Sequence, residues 1–144
     1  MRKPFHILYL HGFRSSPAST KVRIFADWLA GACPHLRLIV PALRPSPAES
    51  VAQAVSLLQD ARHRWAGIVG SSLGGYYAAH LAARFPLPAA LINPAVHPYR
   101  LFESYVGEHV NLHTGEVFEL KPCYLDELRA LEVDPHPRQE HLLV

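Results

Sequence analysis

Cysteine is scarce in this sequence. Two stand among 144 residues, Cys33 and Cys123, ninety positions apart with no CxxC pair, so neither a disulfide framework nor a zinc knuckle is written here. A reducing, cytoplasmic setting is the expectation. An excess of one charge is also missing: fourteen Lys plus Arg face twelve Asp plus Glu, and the eleven arginines are scattered. That argues against nucleic acid and anionic membrane as partners. No apolar stretch approaches the ~20 residues of a membrane-spanning helix. The short run Phe5–Leu10 behind Met1-Arg2-Lys3 is broken by His6 and stopped by His11-Gly12 with no small-residue cleavage site, which predicts a buried strand and not a signal peptide. Repeats and low-complexity tracts are absent too. What is present, 49% hydrophobic and 10% aromatic residues at a mean hydropathy of +0.04, is one globular domain long enough to bury a core unaided.

Short β-branched runs alternate with stretches of helical period, which predicts an α/β class with a mostly parallel sheet and helices on both faces. The strands are expected at Phe5–Leu10, Leu36–Val40, Gly67–Val69, Ala89–Ile92 and His141–Val144. A first helix is expected to open at Ser16 with Pro17 at its first position. It would bury Val22, Phe25, Ala26 and Leu29 and stop at Gly31. A second follows Ser46-Pro47-Ala48-Glu49, read as a capping box, and runs to about His63. A third spans Leu73 to Phe85. A fourth spans Pro122 to Leu131, with Cys123, Leu125 and Leu128 inward. Residues 97–121 form a loop or hairpin insertion turning at His113-Thr114-Gly115-Glu116 within the single domain 1–144. The thirteen prolines fall mostly at element boundaries.

The chemistry concentrates at Gly70-Ser71-Ser72-Leu73-Gly74, a G-x-S-x-G between a predicted strand and a predicted helix. A serine on a sharp strand-to-helix turn needs small residues two positions away on either side, and the turn leaves the Leu73 amide at a helix N-terminus, where it can meet an oxyanion. Ser72 is the expected nucleophile. A purely structural βα loop and a phosphate cradle are the alternatives; against the cradle, Ser72 stands where a G-x-G-x-x-G needs its second glycine, and no acidic residue ends a second strand. His11-Gly12-Phe13 follows the first strand, and adjacent parallel strands share one crevice at their carboxyl ends. Phe13 N–H is thus the second expected oxyanion donor. His11 reads either as a shaper of that loop or as a base.

His11-Gly12-Phe13-Arg14-Ser15-Ser16-Pro17, Gly67-Ile68-Val69-Gly70-Ser71-Ser72-Leu73-Gly74-Gly75-Tyr76-Tyr77-Ala78 and Asn93-Pro94-Ala95-Val96 with Pro98 together resemble the small bacterial YqiA-type esterases of the α/β-hydrolase superfamily. Thr114-Gly115 and Asp134-Pro135 match that pattern as well. The resemblance implies hydrolysis of a small acyl ester or thioester through acyl-Ser72, with Phe13 and Leu73 as oxyanion donors and no cofactor. In α/β-hydrolases the acid and histidine follow the serine in that order, the acid after the strand that follows the insertion. That strand here is His141–Val144. The chain is therefore expected to be the N-terminal portion of such an enzyme, lacking a C-terminal strand and helix, with the triad acid and histidine beyond residue 144.

Within the chain, His97 is the nearest candidate base, set against a surface role, and Asp27, Asp60, Asp126 and Asp134 are not placed to serve as the acid. His109 and His113 have metal-ligand spacing, but Gly107 and Gly115 interrupt any helix there, so no metal is expected. The expected substrate pocket comprises His11, Gly12, Tyr76, His97, Tyr99 and Phe102. A non-catalytic binding module or inactive remnant of the fold is the competing reading. An uncovered last strand predicts self-association through the His141–Val144 edge, or through a first-helix face exposing Val22 and Phe25.

Overall fold

A computed structural model describes residues 2–133 and the backbone of residues 141–143. In chain order the elements are β1 (Phe5–Leu10), α1 (Thr20–Ala32), β2 (Leu36–Ile39), α2 (Pro47–Leu58), β3 (Arg64–Ser71), α3 (Leu73–Arg84), β4 (Ala89–Ile92), α4 (Pro98–Leu101) running into a 3-10 turn at Phe102–Tyr105, β5 (Gly107–Val110), β6 (Val117–Leu120), α5 (Cys123–Ala130) and β7 (His141–Leu143). Five strands form one sheet in the order β2-β1-β3-β4-β7, every pair parallel. β5 and β6 make a separate antiparallel hairpin.

The strands are short and apolar because helices cover both faces. Successive side chains alternate across the sheet. Leu8, Leu10, Ile68 and Leu91 therefore meet Val51, Ala54 and Leu58 of α2, Tyr77 and Leu81 of α3 and Leu128 of α5 on one face. Tyr9 and Val69 meet Val22 and Phe25 of α1 on the other. Among the described residues no helix is long and apolar enough to cross a membrane.

Several element boundaries differ from the sequence reading. Helix α1 begins at Thr20, not at Ser16: Ser19 is its cap, its hydroxyl accepting from Val22 N–H at 3.3 Å, while Ser16 closes the preceding turn by accepting from Ala18 N–H. Gly31 lies inside that helix, which ends just before Cys33-Pro34, the residue ahead of a proline being pushed out of helical geometry. Val22 and Leu29 are buried, and the large apolar α1 side chains left in solvent are Ile24 and Trp28. Helix α2 stops at Leu58, short of His63, and Asp60 follows it in a turn paired with Arg62. β3 starts three residues before Gly67. In α5, Leu128 is buried and Leu125 half-buried, but Cys123 is exposed. Asp134 lies outside the described residues.

Candidate active site

β3 ends at Ser71 and α3 begins at Leu73, so Ser72 carries the whole change of direction. Its backbone sits at φ 56° and ψ −119°, a region sparsely populated by residues with a Cβ. Hydrogen bonds on both sides hold it there. Ser72 N–H donates to Ile92 O at 3.0 Å, and Ser72 O accepts from Ala95 N–H and Gly75 N–H, each at 3.0 Å. The two motif glycines are required by contact: a Cβ on Gly70 would lie 2.2 Å from Gly74 O, and one on Gly74 would lie 2.0 Å from Leu10 O. The side chain of Ser72 stays exposed at the carboxyl ends of the strands.

The loop after β1 presses against that side chain. A Cβ on Gly12 would come within 3.3 Å of Ser72 Cβ and 3.8 Å of its Oγ, so glycine allows the Gly12–Phe13 backbone to approach the hydroxyl. Leu73 is the first residue of α3, and its N–H has no acceptor within the helix. Both expected oxyanion donors thus belong to segments flanking Ser72.

His11 is buried, with both ring nitrogens occupied: Nδ1 donates to Gly12 O at 3.0 Å, and Nε2 accepts from Leu43 N–H at 3.0 Å. Burial lowers its pKa, against the opposing pull of the Gly12 bond. The ring shapes the loop and offers no free lone pair to a substrate. Phe13 is half-buried in an aromatic nest supplied by residues 97–121, with ring centroids 4.8 Å from Phe102, 5.2 Å from His109 and 5.7 Å from Phe118. The hairpin is also tied to the loop through polar atoms. Asn111 Nδ2 donates to Ser15 O at 2.9 Å, Leu112 N–H to Arg14 O and Arg14 Nε to Val110 O, the last two at 3.0 Å.

Two clefts flank the Gly12–Phe13 loop. One, of about 90 Å³, has Leu43, Leu73, Tyr77 and Phe118 in its wall. The other holds Ser72 together with Tyr9, Lys21, Ser71 and His113. His11, Gly12 and Phe13 line both. Tyr76, His97, Tyr99 and Phe102 line neither. The Tyr76 hydroxyl donates to Leu128 O at 2.6 Å, locking α3 to α5. His97 and Tyr99 bond to each other and to Glu132, tying α4 to the segment after α5. Phe102 is buried and reaches the site only by supporting Phe13.

Lys21, Ser71 and His113 were not among the expected site residues. Ser71 sits inside the motif and was legible there. Lys21 and His113 arrive through α1 and the hairpin turn, whose docking no local pattern encodes. No described histidine or carboxylate hydrogen-bonds Ser72 Oγ, and among the described residues no three His, Cys, Asp or Glu side chains are grouped to hold a metal.

A parallel sheet with helices on both faces and a strained serine between strand and helix defines an α/β-hydrolase fold. The chain belongs to the uncharacterised protein family UPF0227, whose family model matches residues 6–144, and this is the family of the YqiA-type esterases that its motifs resemble. Its structure is similar to the esterase domain of a Rhodothermus marinus protein, at 22% identity and a TM-score of 0.69, over 98% of this chain and 65% of that one. It is also similar to ferulic acid-bound Est1E from Butyrivibrio proteoclasticus, at 15% identity and a TM-score of 0.67, over 98% of this chain and 68% of that one. A structure reported for LipS and LipT, two metagenome-derived lipolytic enzymes, matches at 17% identity and a TM-score of 0.62, over 99% of this chain and 84% of that one. At these identities the likeness is one of fold. The chain spans 65% of the length of the Rhodothermus esterase domain.

Proposed function

We propose that this protein is a serine hydrolase acting on a small acyl ester or thioester. Ser72 Oγ bonds to the acyl carbon, the bond to the alcohol or thiol breaks, and that group leaves with a proton. Water then releases the acid and restores Ser72. Phe13 and Leu73 N–H groups receive the oxyanion of each tetrahedral intermediate. The acyl group enters the cleft walled by Leu43, Leu73, Tyr77 and Phe118. The observation that carries this reading is the Ser72 backbone, φ 56° at the first turn of α3, with the Gly12 loop drawn against its side chain. The two free cysteines agree with work in a reducing cytoplasm.

A second reading, a binding module that keeps the pocket without turnover, is favoured by one observation: Ser72 Oγ has no histidine partner among the described residues. A fluorophosphonate probe applied to the full-length protein, with the expected triad acid and histidine included, separates the two. Covalent labelling and aryl-ester hydrolysis, both lost in Ser72→Ala, support the hydrolase; a chain that stays unlabelled while binding esters supports the module.

A further inference from the structure

The Ser72 cleft, of about 350 Å³, is lined by the polar side chains of Ser19, Thr20, Lys21, Ser71 and His113 beside Tyr9 and Phe13, with no carboxylate among them. The opposite cleft, by contrast, includes Glu116. Lys21 Nζ donates to Ser71 Oγ at 3.1 Å, and among the described residues no acidic side chain pairs with Lys21. That bond engages a lone pair of the buried Ser71 hydroxyl, leaving its hydrogen to donate elsewhere. Tyr9 is only 1% exposed. Its hydroxyl has no hydrogen-bond partner of normal geometry among the described residues, although Ser71 stands beside it. Buried hydroxyls are rarely left without a partner.

Helix α1 starts at the same wall, where Ser19, Thr20 and Lys21 line the cleft. Its first turn holds no acidic residue. Ser19 already accepts from Val22 and Arg23 N–H, so the N–H groups of Thr20 and Lys21 remain at the positive end of a 13-residue helix.

We propose that this cleft is an anion subsite, and that the substrate's alcohol portion carries a carboxylate or phosphate held by Lys21, Ser71, Tyr9 and the start of α1. The Gly12–Phe13 loop separates this cleft from the one assigned to the acyl group, so an anion held here belongs to the leaving-group portion. The assignment of alcohol and acyl sides rests on Ser72 being the nucleophile.

Three esters sharing one acyl group test it: 3-butyryloxybenzoate, 3-butyryloxyphenyl phosphate and the neutral 3-butyryloxybenzamide. At least one anionic ester should show a KM about tenfold below that of the amide, equivalent to ~1.4 kcal/mol, and whichever does so identifies the anion. In Lys21→Met the ratio should collapse to about one, with Ser71→Ala reducing it in the same direction. Equal KM values for all three esters in the wild-type protein, or a preference that survives Lys21→Met, overturns the subsite. If no ester is turned over, the failure belongs to the Ser72 reading, and binding decides the subsite instead. Titration with 3-hydroxybenzoate or phenyl phosphate should give saturable shifts of the Thr20 and Lys21 amide resonances that vanish in Lys21→Met; their absence from the wild-type protein overturns the proposal.

Discussion

Nε2 of His11 accepts the Leu43 N–H while Nδ1 donates to Gly12 O, so one neutral tautomer joins the loop after β1 to the segment after β2. Protonation would break the Leu43 bond and place a charge in a buried site, and burial accordingly pushes the His11 pKa down. His80, whose Nδ1 bonds to Leu131 O, is lowered by burial in the same way. The unfolded chain takes up these protons near pH ~6.5, whereas the folded chain resists them to lower pH. The stabilisation is therefore complete above ~6.5 and is lost as pH falls through the interval down to the folded value. Urea midpoints measured from pH 7.5 to 5 should fall, and His11→Gln should make that fall shallower. An identical slope in the variant would show that His11 is not the group responsible.

The close contacts at the elbow predict opposite results from one substitution at two glycines. A Cβ on Gly70 meets carbonyl and backbone atoms of Gly74 and Gly75 at 2.2–2.7 Å, but one on Gly31 meets nothing within 4 Å. Gly70→Ala should cost more than ~4 kcal/mol, the range reserved for clashes that cannot relax. Gly31→Ala, inside α1, should gain roughly 0.5–1 kcal/mol, a rise of about 2–4 °C per kcal/mol in a domain of this size. Thermal melts of both variants check the pair.

The start of α2 distinguishes a cap made locally from one made across the fold. Ser46 accepts from Glu49 N–H at 3.2 Å, half of the expected capping box. The carboxylate at the helix start, however, comes from α5: Glu127 accepts from Ser46 Oγ at 2.9 Å and from Ala48 N–H at 3.1 Å. Glu127→Ala should therefore cost about 1–2 kcal/mol in chemical denaturation, as removal of a charged cap does. Glu49→Ala should cost only a few tenths, the size of a helix-dipole contribution at an exposed site. The reverse ranking would restore the local box.

These cases explain what the sequence made legible. The β3–α3 turn was readable because its rule is local: glycines at fixed spacing from Ser72, between an apolar strand and a helix. The sheet was readable because its strands are short, mainly apolar runs, broken by single polar residues such as His6 in β1 and Arg37 in β2. Tyr76, His97, Tyr99 and Phe102 were misplaced because an aromatic or imidazole near the motif lines a cleft only if its rotamer points there, and Leu128 O and Glu132 claim three of those side chains instead. Lys21 and His113 were illegible because their position follows from how α1 and the hairpin dock.

Among the described residues β7 pairs only with β4 and stands at the edge of the described sheet. Edge strands present unpaired backbone groups to another chain, and a second copy offers the same edge for antiparallel addition. Sedimentation velocity should show a concentration-dependent dimer of the 144-residue chain. A monomer at all concentrations would remove this edge as the contact. Because Val22 and Leu29 are buried, the α1 face expected to compete with it has only Ile24 and Trp28 to offer.

The strain at Ser72 connects stability to chemistry. A residue with a Cβ held at φ 56° and ψ −119° carries a cost of about 1–3 kcal/mol, which Ser72→Ala retains because alanine also has a Cβ. Ser72→Gly releases it, since glycine enters this region freely, and the greater freedom of glycine in the unfolded chain takes back about 0.5–1 kcal/mol. The glycine variant should melt above both the alanine variant and the wild type, by about 1 kcal/mol on balance, while fluorophosphonate labelling occurs in the wild type alone. Melting curves paired with labelling gels of the three proteins give the result. An alanine variant more stable than the glycine variant would mean that the turn is relaxed, and the strained-nucleophile account of Ser72 would fall with it.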